Sequence, residues 1–114
     1  MKRSVLLYIK DIIDYMERAE SYLQNLTYEQ FINDEKTCDA IIRCIEIIGE
    51  ATKNIPNEIK EKYPLVPWRD ISGMRDKIIH SYFSVDFEEV WLTVKEDISK
   101  LKPLIKIILE DLNI

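Results

Sequence analysis

The stretch Arg75-Asp76-Lys77-Ile78-Ile79-His80-Ser81-Tyr82 contains the only histidine of the 114-residue chain, five residues after an arginine and two before a tyrosine. An imidazole, with a reference pKa of about 6.5, exchanges a proton at neutral pH, and a guanidinium is a planar, permanently charged donor to phosphate oxygens. Cleavage of RNA needs such a pair. A base takes the 2′-OH proton, a cation holds charge on the equatorial phosphoryl oxygens, and an acid protonates the leaving 5′-oxygen. Residues five apart on a helix point about 140° away from each other, so His80 must lie near a helix end. One histidine cannot readily be base and acid in the same concerted step. A two-fold homodimer resolves this by bringing two His80 and two Arg75 side chains to one groove, and the active unit is therefore expected to be a dimer. The plainer alternative makes His80 a structural histidine and Arg75 a surface residue paired with Asp76.

Charge narrows the choice of partner. Sixteen Lys+Arg against twenty-one Asp+Glu leave a formal net charge of −5, the wrong sign for coating nucleic acid non-specifically. Any RNA contact must be local, and the one net-basic segment is 64–85, where Arg69, Arg75 and Lys77 outweigh Asp70 and Asp76. A lone histidine, no Cys-x-x-Cys and two isolated glycines leave neither a zinc tetrad nor a phosphate loop, so no metal or other cofactor is expected. Cys38 and Cys44 are six apart, about 9 Å of helical rise, too far to bridge, and read as buried thiols. Adjacent acids such as Glu88-Glu89 and Glu96-Asp97 diverge by about 100° on a helix and read as solubilising charge rather than as a carboxylate pair. No signal-peptide pattern is present and no apolar run approaches the ~20 residues that span a bilayer. A soluble, cytoplasmic protein without membrane contact is expected.

The elements that must position Arg75 and His80 are helices. Only two Gly and four Pro in a chain that is 46% hydrophobic and 32% charged disfavour an all-β fold, and the length suits a single domain over 1–114. Val5, Leu6, Ile9, Ile12, Ile13, Met16 and Leu23 recur at helical spacing. Thr27 and Gln30 form a capping box that starts a short turn, and Asn33-Asp34 restarts the chain as a helix. From 34 to 53 the polar residues Asp39, Arg43, Glu46, Glu50 and Lys53 occupy a stripe only about 80° wide. The rest of that helix is apolar, which places it at the bundle centre. Its stripe is either an ordinary solvated face or, more sharply, the wall of a dimer groove lined by Glu50 or Arg43.

Gly49, costly in a helix interior, predicts a close crossing by another helix. A short polar helix is expected over 57–62, then a helix from Pro67 or Trp68 to His80, ending near 81–84. Asp86 with Glu89 predicts the cap of a last helix that runs to the C-terminus with a kink at Pro103. Trp68 and Trp91 read as core or interface anchors rather than base-stacking platforms. The fold class is an all-α, up-and-down antiparallel bundle of four main helices plus short ones.

The run Pro67-Trp68-Arg69-Asp70-Ile71-Ser72-Gly73-Met74-Arg75-Asp76-Lys77-Ile78-Ile79-His80-Ser81-Tyr82-Phe83 resembles the HepT-like toxins of the HEPN superfamily, and Ile47-Ile48-Gly49-Glu50-Ala51 is similar to that family's second signature. The resemblance, extending over about 5–112, implies a homodimeric helical bundle with a metal-independent endoribonuclease site at the dimer interface. It implies Arg75 and His80 as catalytic residues; Asp76 beside Arg75, where the family usually has a polar residue such as Asn, and Glu50 on the polar stripe are read from the sequence itself as groove support. It also implies a partner, a minimal nucleotidyltransferase antitoxin that transfers AMP from ATP to the motif tyrosine, here Tyr82. An AMP group there adds bulk and negative charge two residues from the base, which repels an RNA phosphate. The competing function is a non-catalytic helical dimer that binds a nucleotidyltransferase and presents nucleotide or substrate to it.

Overall fold

The computed structural model describes residues 4–81 and 84–113. Helix α1 spans Val5–Leu23, α2 Tyr28–Ile32, α3 Glu35–Lys53 and α4 Asn57–Lys62. Helices α5 (Trp68–Ser72) and α6 (Met74–Ile78) lead into a two-stranded hairpin, β1 (Ile79–Ser81) and β2 (Ser84–Val85). Helix α7 (Phe87–Leu92), a π-helical turn (Thr93–Ile98) and α8 (Ser99–Leu112) then run on as one rod. The architecture is the expected all-α bundle, with the small hairpin as its only sheet among the described residues.

Helices α1 and α3 form the main layer because each buries a continuous apolar stripe. Ile9, Ile12, Ile13, Met16, Ala19 and Leu23 of α1 meet Cys38, Ile41, Cys44, Ile45 and Ile48 of α3 in the core. The two helices are antiparallel: Tyr8 and Asp11 share a groove with Gly49 to Asn54, whereas Asp14 and Arg18 lie near Cys44. Helix α8 is antiparallel to α1 as well, since Lys102 pairs with Glu20 and Lys106 with Glu17. The caps predicted from sequence are formed. Thr27 and Gln30 exchange their capping-box bonds, Asp34 accepts from the Thr37 N–H, and Asp86 accepts from the Glu89 N–H.

Burial has a chemical consequence for the two cysteines, which are free and buried. Burial, helped by the nearby charges of Asp39, Asp34 and Glu35, pushes the Cys38 thiol up to about 11. Burial also raises the Cys44 thiol, against an opposing pull from Arg18. Trp68 anchors the proline-rich connection by donating its indole N–H to the carbonyls of Lys60 and Tyr63. Trp91 packs against Phe31 and Tyr28, with the Lys95 ammonium 4.9 Å from its ring centre.

Two expectations need correction. The segment 68–80 is not one helix. It is divided at Gly73, whose backbone (φ −97°, ψ 5°) leaves helical geometry, and it ends at Ile78 because Ile79 is extended. The Ile78 carbonyl accepts instead from the Asp86 N–H at 2.8 Å, which ties the strand pair to the helix end. Pro67 precedes its helix rather than beginning it, its ψ of 75° being far from helical. Helix α8 runs through Pro103. Before it, the rod passes through the π-turn, where the buried Thr93 hydroxyl has no hydrogen-bond partner among the described residues. No helix among the described residues is long and apolar enough to cross a membrane.

Candidate active site

Arg75 is delivered by α6 onto the polar stripe of α3. Its Nε lies 3.6 Å from Glu46 Oε2 and its guanidinium also faces Asp76, with 3.7 Å between Nη1 and Oδ1. Both contacts are longer than a charge-assisted hydrogen bond, and the Arg75 side chain is 47% exposed. Such half-solvated pairs hold an orientation weakly, so Arg75 can exchange a carboxylate for a phosphate. The expected pairing with Asp76 is therefore present without removing Arg75 from the surface.

Arg75 and Asp76 line a groove of about 440 Å³ together with Glu50, Arg43, Lys53 and Tyr8. Its floor depends on Gly49. A Cβ at that position would stand 3.2 Å from the Ser72 carbonyl oxygen, so glycine lets the end of α5 lie directly on α3. This is the close crossing that an interior glycine foretold, and it sets the height of α6 above the stripe. Within the groove Glu50 pairs with Lys53 at 3.5 Å, while Arg43 has no ion-pair partner among the described residues.

His80 is positioned by different means. Ile79 is paired with Val85 and Ser81 with Ser84, so two steps along β1 match one step along β2, and His80 is the extra residue of a bulge. Bulges re-aim a side chain and recur beside active sites. Ile79 is half-buried against the core, whereas the His80 side chain is 59% exposed, with Nε2 3.9 Å from Asp86 Oδ2. His80 is not among the residues that line the Arg75 groove. The structure thus brings Arg75, Asp76 and Glu50 together and leaves His80 outside them, at the end of the helix as the spacing argument requires. Tyr82 lies outside the described residues. Among the described residues no group of three His, Cys, Asp or Glu is arranged to hold a metal ion.

Sequence reasoning missed two contacting acids. Glu46 lies on the polar stripe, but nothing in the sequence ties it to Arg75. Asp86 reads from sequence only as a helix cap, and its approach to His80 depends on the hairpin that stands in place of the end of the expected helix.

Comparison with known proteins agrees with the motif. The family model described as Ribonuclease HepT-like matches residues 12–108. The chain is 51% identical over 102 residues, 90% of its length and 93% of the relative's, to "Probable ribonuclease HepT" of Thermococcus cleftensis. It is 43% identical over 111 residues, 97% of its length and 92% of the relative's, to "Putative RNase MJ1216" of Methanocaldococcus jannaschii. No solved structure matches significantly. With the family model covering most of the bundle, including both α3 and the Arg75–His80 segment, the chain belongs to the HepT-like ribonuclease family.

Proposed function

We propose that this protein is a toxin-type, metal-independent endoribonuclease whose site is completed by a second copy of the chain. The observation that carries the reading is the placement of Arg75 in an open groove with Arg43, which has no ion-pair partner among the described residues, together with the exposure of His80 outside that groove on the same segment. A structural histidine would be buried; the side chain of this one is 59% exposed. His80 takes the proton from a ribose 2′-OH, and the 2′-oxygen forms a new bond to phosphorus as the bond to the 5′-oxygen breaks. The leaving oxygen receives its proton from His80 of the partner subunit, and the products are a 2′,3′-cyclic phosphate and a 5′-hydroxyl. Arg75 stabilises the charge on the equatorial oxygens, Arg43 holds a flanking phosphate, and Asp76 and Glu50 support the groove. Tyr82 is the acceptor for AMP from a nucleotidyltransferase antitoxin, and the added phosphate repels RNA from the site.

The test is incubation of protein verified as unmodified at Tyr82 with end-labelled RNA in excess EDTA. Wild type should cut and leave 2′,3′-cyclic phosphate ends, and His80→Ala and Arg75→Ala, folded by circular dichroism, should not. A second reading draws on the groove's own charge: Asp11, Glu46, Glu50 and Asp76 outnumber Arg43, Lys53 and Arg75. This charge weighs against an RNA phosphate in the groove, and the reading that remains is a non-catalytic dimer that binds a nucleotidyltransferase and presents nucleotide or substrate to it elsewhere on its surface. Complex formation that persists with no His80-dependent cleavage of tRNA, ribosomal RNA or oligoribonucleotides would select it.

A further inference from the structure

We propose that Asp86 is a positioning residue for His80, an inference that rests on the reading of His80 as the proton-transfer group. The two side chains differ in how firmly they are held. As the extra residue of a bulge, His80 has no place in the strand ladder to fix its ring, and the side chain is largely solvent-exposed. Asp86 is tied at three points. Its Oδ1 accepts from the Glu89 N–H at 3.1 Å, its backbone N–H donates to the Ile78 carbonyl at 2.8 Å, and its own carbonyl accepts from the Val90 N–H at 3.0 Å. The second carboxylate oxygen, Oδ2, is left over from capping and faces His80 Nε2 at 3.9 Å.

At 3.9 Å the pair is beyond hydrogen-bond distance, but the carboxylate is fixed and the exposed ring can turn to close the gap. When Nε2–H is brought onto Asp86 Oδ2, the lone pair sits on Nδ1, and Nδ1 becomes the nitrogen that exchanges a proton with RNA. One residue thereby does two jobs. Capping by Oδ1 anchors the start of α7, and Oδ2 uses that anchor to orient a group on the neighbouring strand.

Asp86→Asn separates the two jobs, because asparagine caps a helix about as well as aspartate but carries no charge. On an oligoribonucleotide cut by wild type, this variant should keep its thermal midpoint and lose about tenfold in kcat with KM within about twofold. Asp86→Ala should lose kcat similarly and also melt lower. An unchanged kcat in Asp86→Asn overturns the proposal. A second readout needs no RNA: the single histidine can be followed during carbethoxylation by diethyl pyrocarbonate. At a pH where the ring is neutral, its rate should fall by at least about twofold in Asp86→Asn, as Nε2–H no longer faces a carboxylate that makes the Nδ1 lone pair more nucleophilic. An unchanged rate overturns the proposal as well. Should wild type cut no RNA, the ribonuclease reading falls by itself, and the carbethoxylation rate alone decides whether Asp86 holds the ring.

Discussion

Arg75 and His80 stand on scaffolds of opposite kinds. Arg75 is borne by a short helix pressed onto α3, whose packing face is almost wholly buried, and its orientation follows from backbone contact at Gly49 and Ser72. His80 is borne by a bulged hairpin flanked by partly buried side chains such as Ile79, Val85 and Phe87 and tied to the helix end by the hydrogen bond from the Asp86 N–H to the Ile78 carbonyl. A site can thus combine a group that the core fixes with one that a peripheral device aims. Under the proposed mechanism, the cation that must sit at a set distance from a phosphate is on the rigid part, and the proton carrier that must change partners is on the looser one.

That contrast can be broken most severely from the core. Ile45→Ala removes a fully buried side chain between α1 and α3 and should cost about 2–5 kcal/mol in urea denaturation, a large share of the stability of a domain this size. Both halves should fail together. Gly49→Val is more selective: its branched side chain must displace the Ser72 carbonyl, costing about 1–3 kcal/mol and lifting α5 and α6. Cleavage should fall while the hairpin keeps its amide protection. Hydrogen exchange sharpens the comparison without mutation, since the amides of Ser81 and Asp86 should exchange through local opening and those of Ile41 and Ile45 only through global unfolding. Equal protection in the two regions would remove the distinction.

The smallest expected effect concerns pH. Hydrogen bonds from the Thr37 hydroxyl and N–H hold the Asp34 carboxyl below the usual carboxylate range. A depressed native value means that this group's contribution is full above the unfolded pKa and is lost as pH falls through the folded one. Asp34→Ala should therefore lower stability at neutral pH and flatten the acid limb of a stability–pH curve, measured by urea titration at several pH values. A variant with the wild-type slope would assign the acid limb to other groups.

Most of the rigid half was legible in the sequence. Apolar spacing in α1 and α3, the narrow polar stripe and the helix-interior Gly49 each have a local cause that survives into the fold. For Arg43 and Glu50 the stripe alone left a solvated face and a dimer groove both open; in the fold the two line the Arg75 groove of the single chain. The looser half was less legible. Ile78-Ile79 continues a helical pattern equally well as the start of a strand, and the choice is made by pairing with Ser84-Val85 and by the Asp86 N–H, contacts absent from any local window. With the hairpin unseen, Asp86 could be read only as a cap, and Glu46 could not be assigned to Arg75 because α3 and α6 meet only in three dimensions.

The bulge at His80 also bears on how such a protein responds to selection. Removing one residue from β1 would let the strands pair in regular register, a gain in ladder regularity obtained by discarding the exposed imidazole. If His80 carries the activity as proposed, variants chosen for thermal stability alone should accumulate changes in this hairpin at the expense of cleavage, whereas variants chosen for activity should retain the irregular register. Stability and the proposed function would then be set against each other at a single position, and the sign of the change found there would report which of them a lineage had been selected to keep.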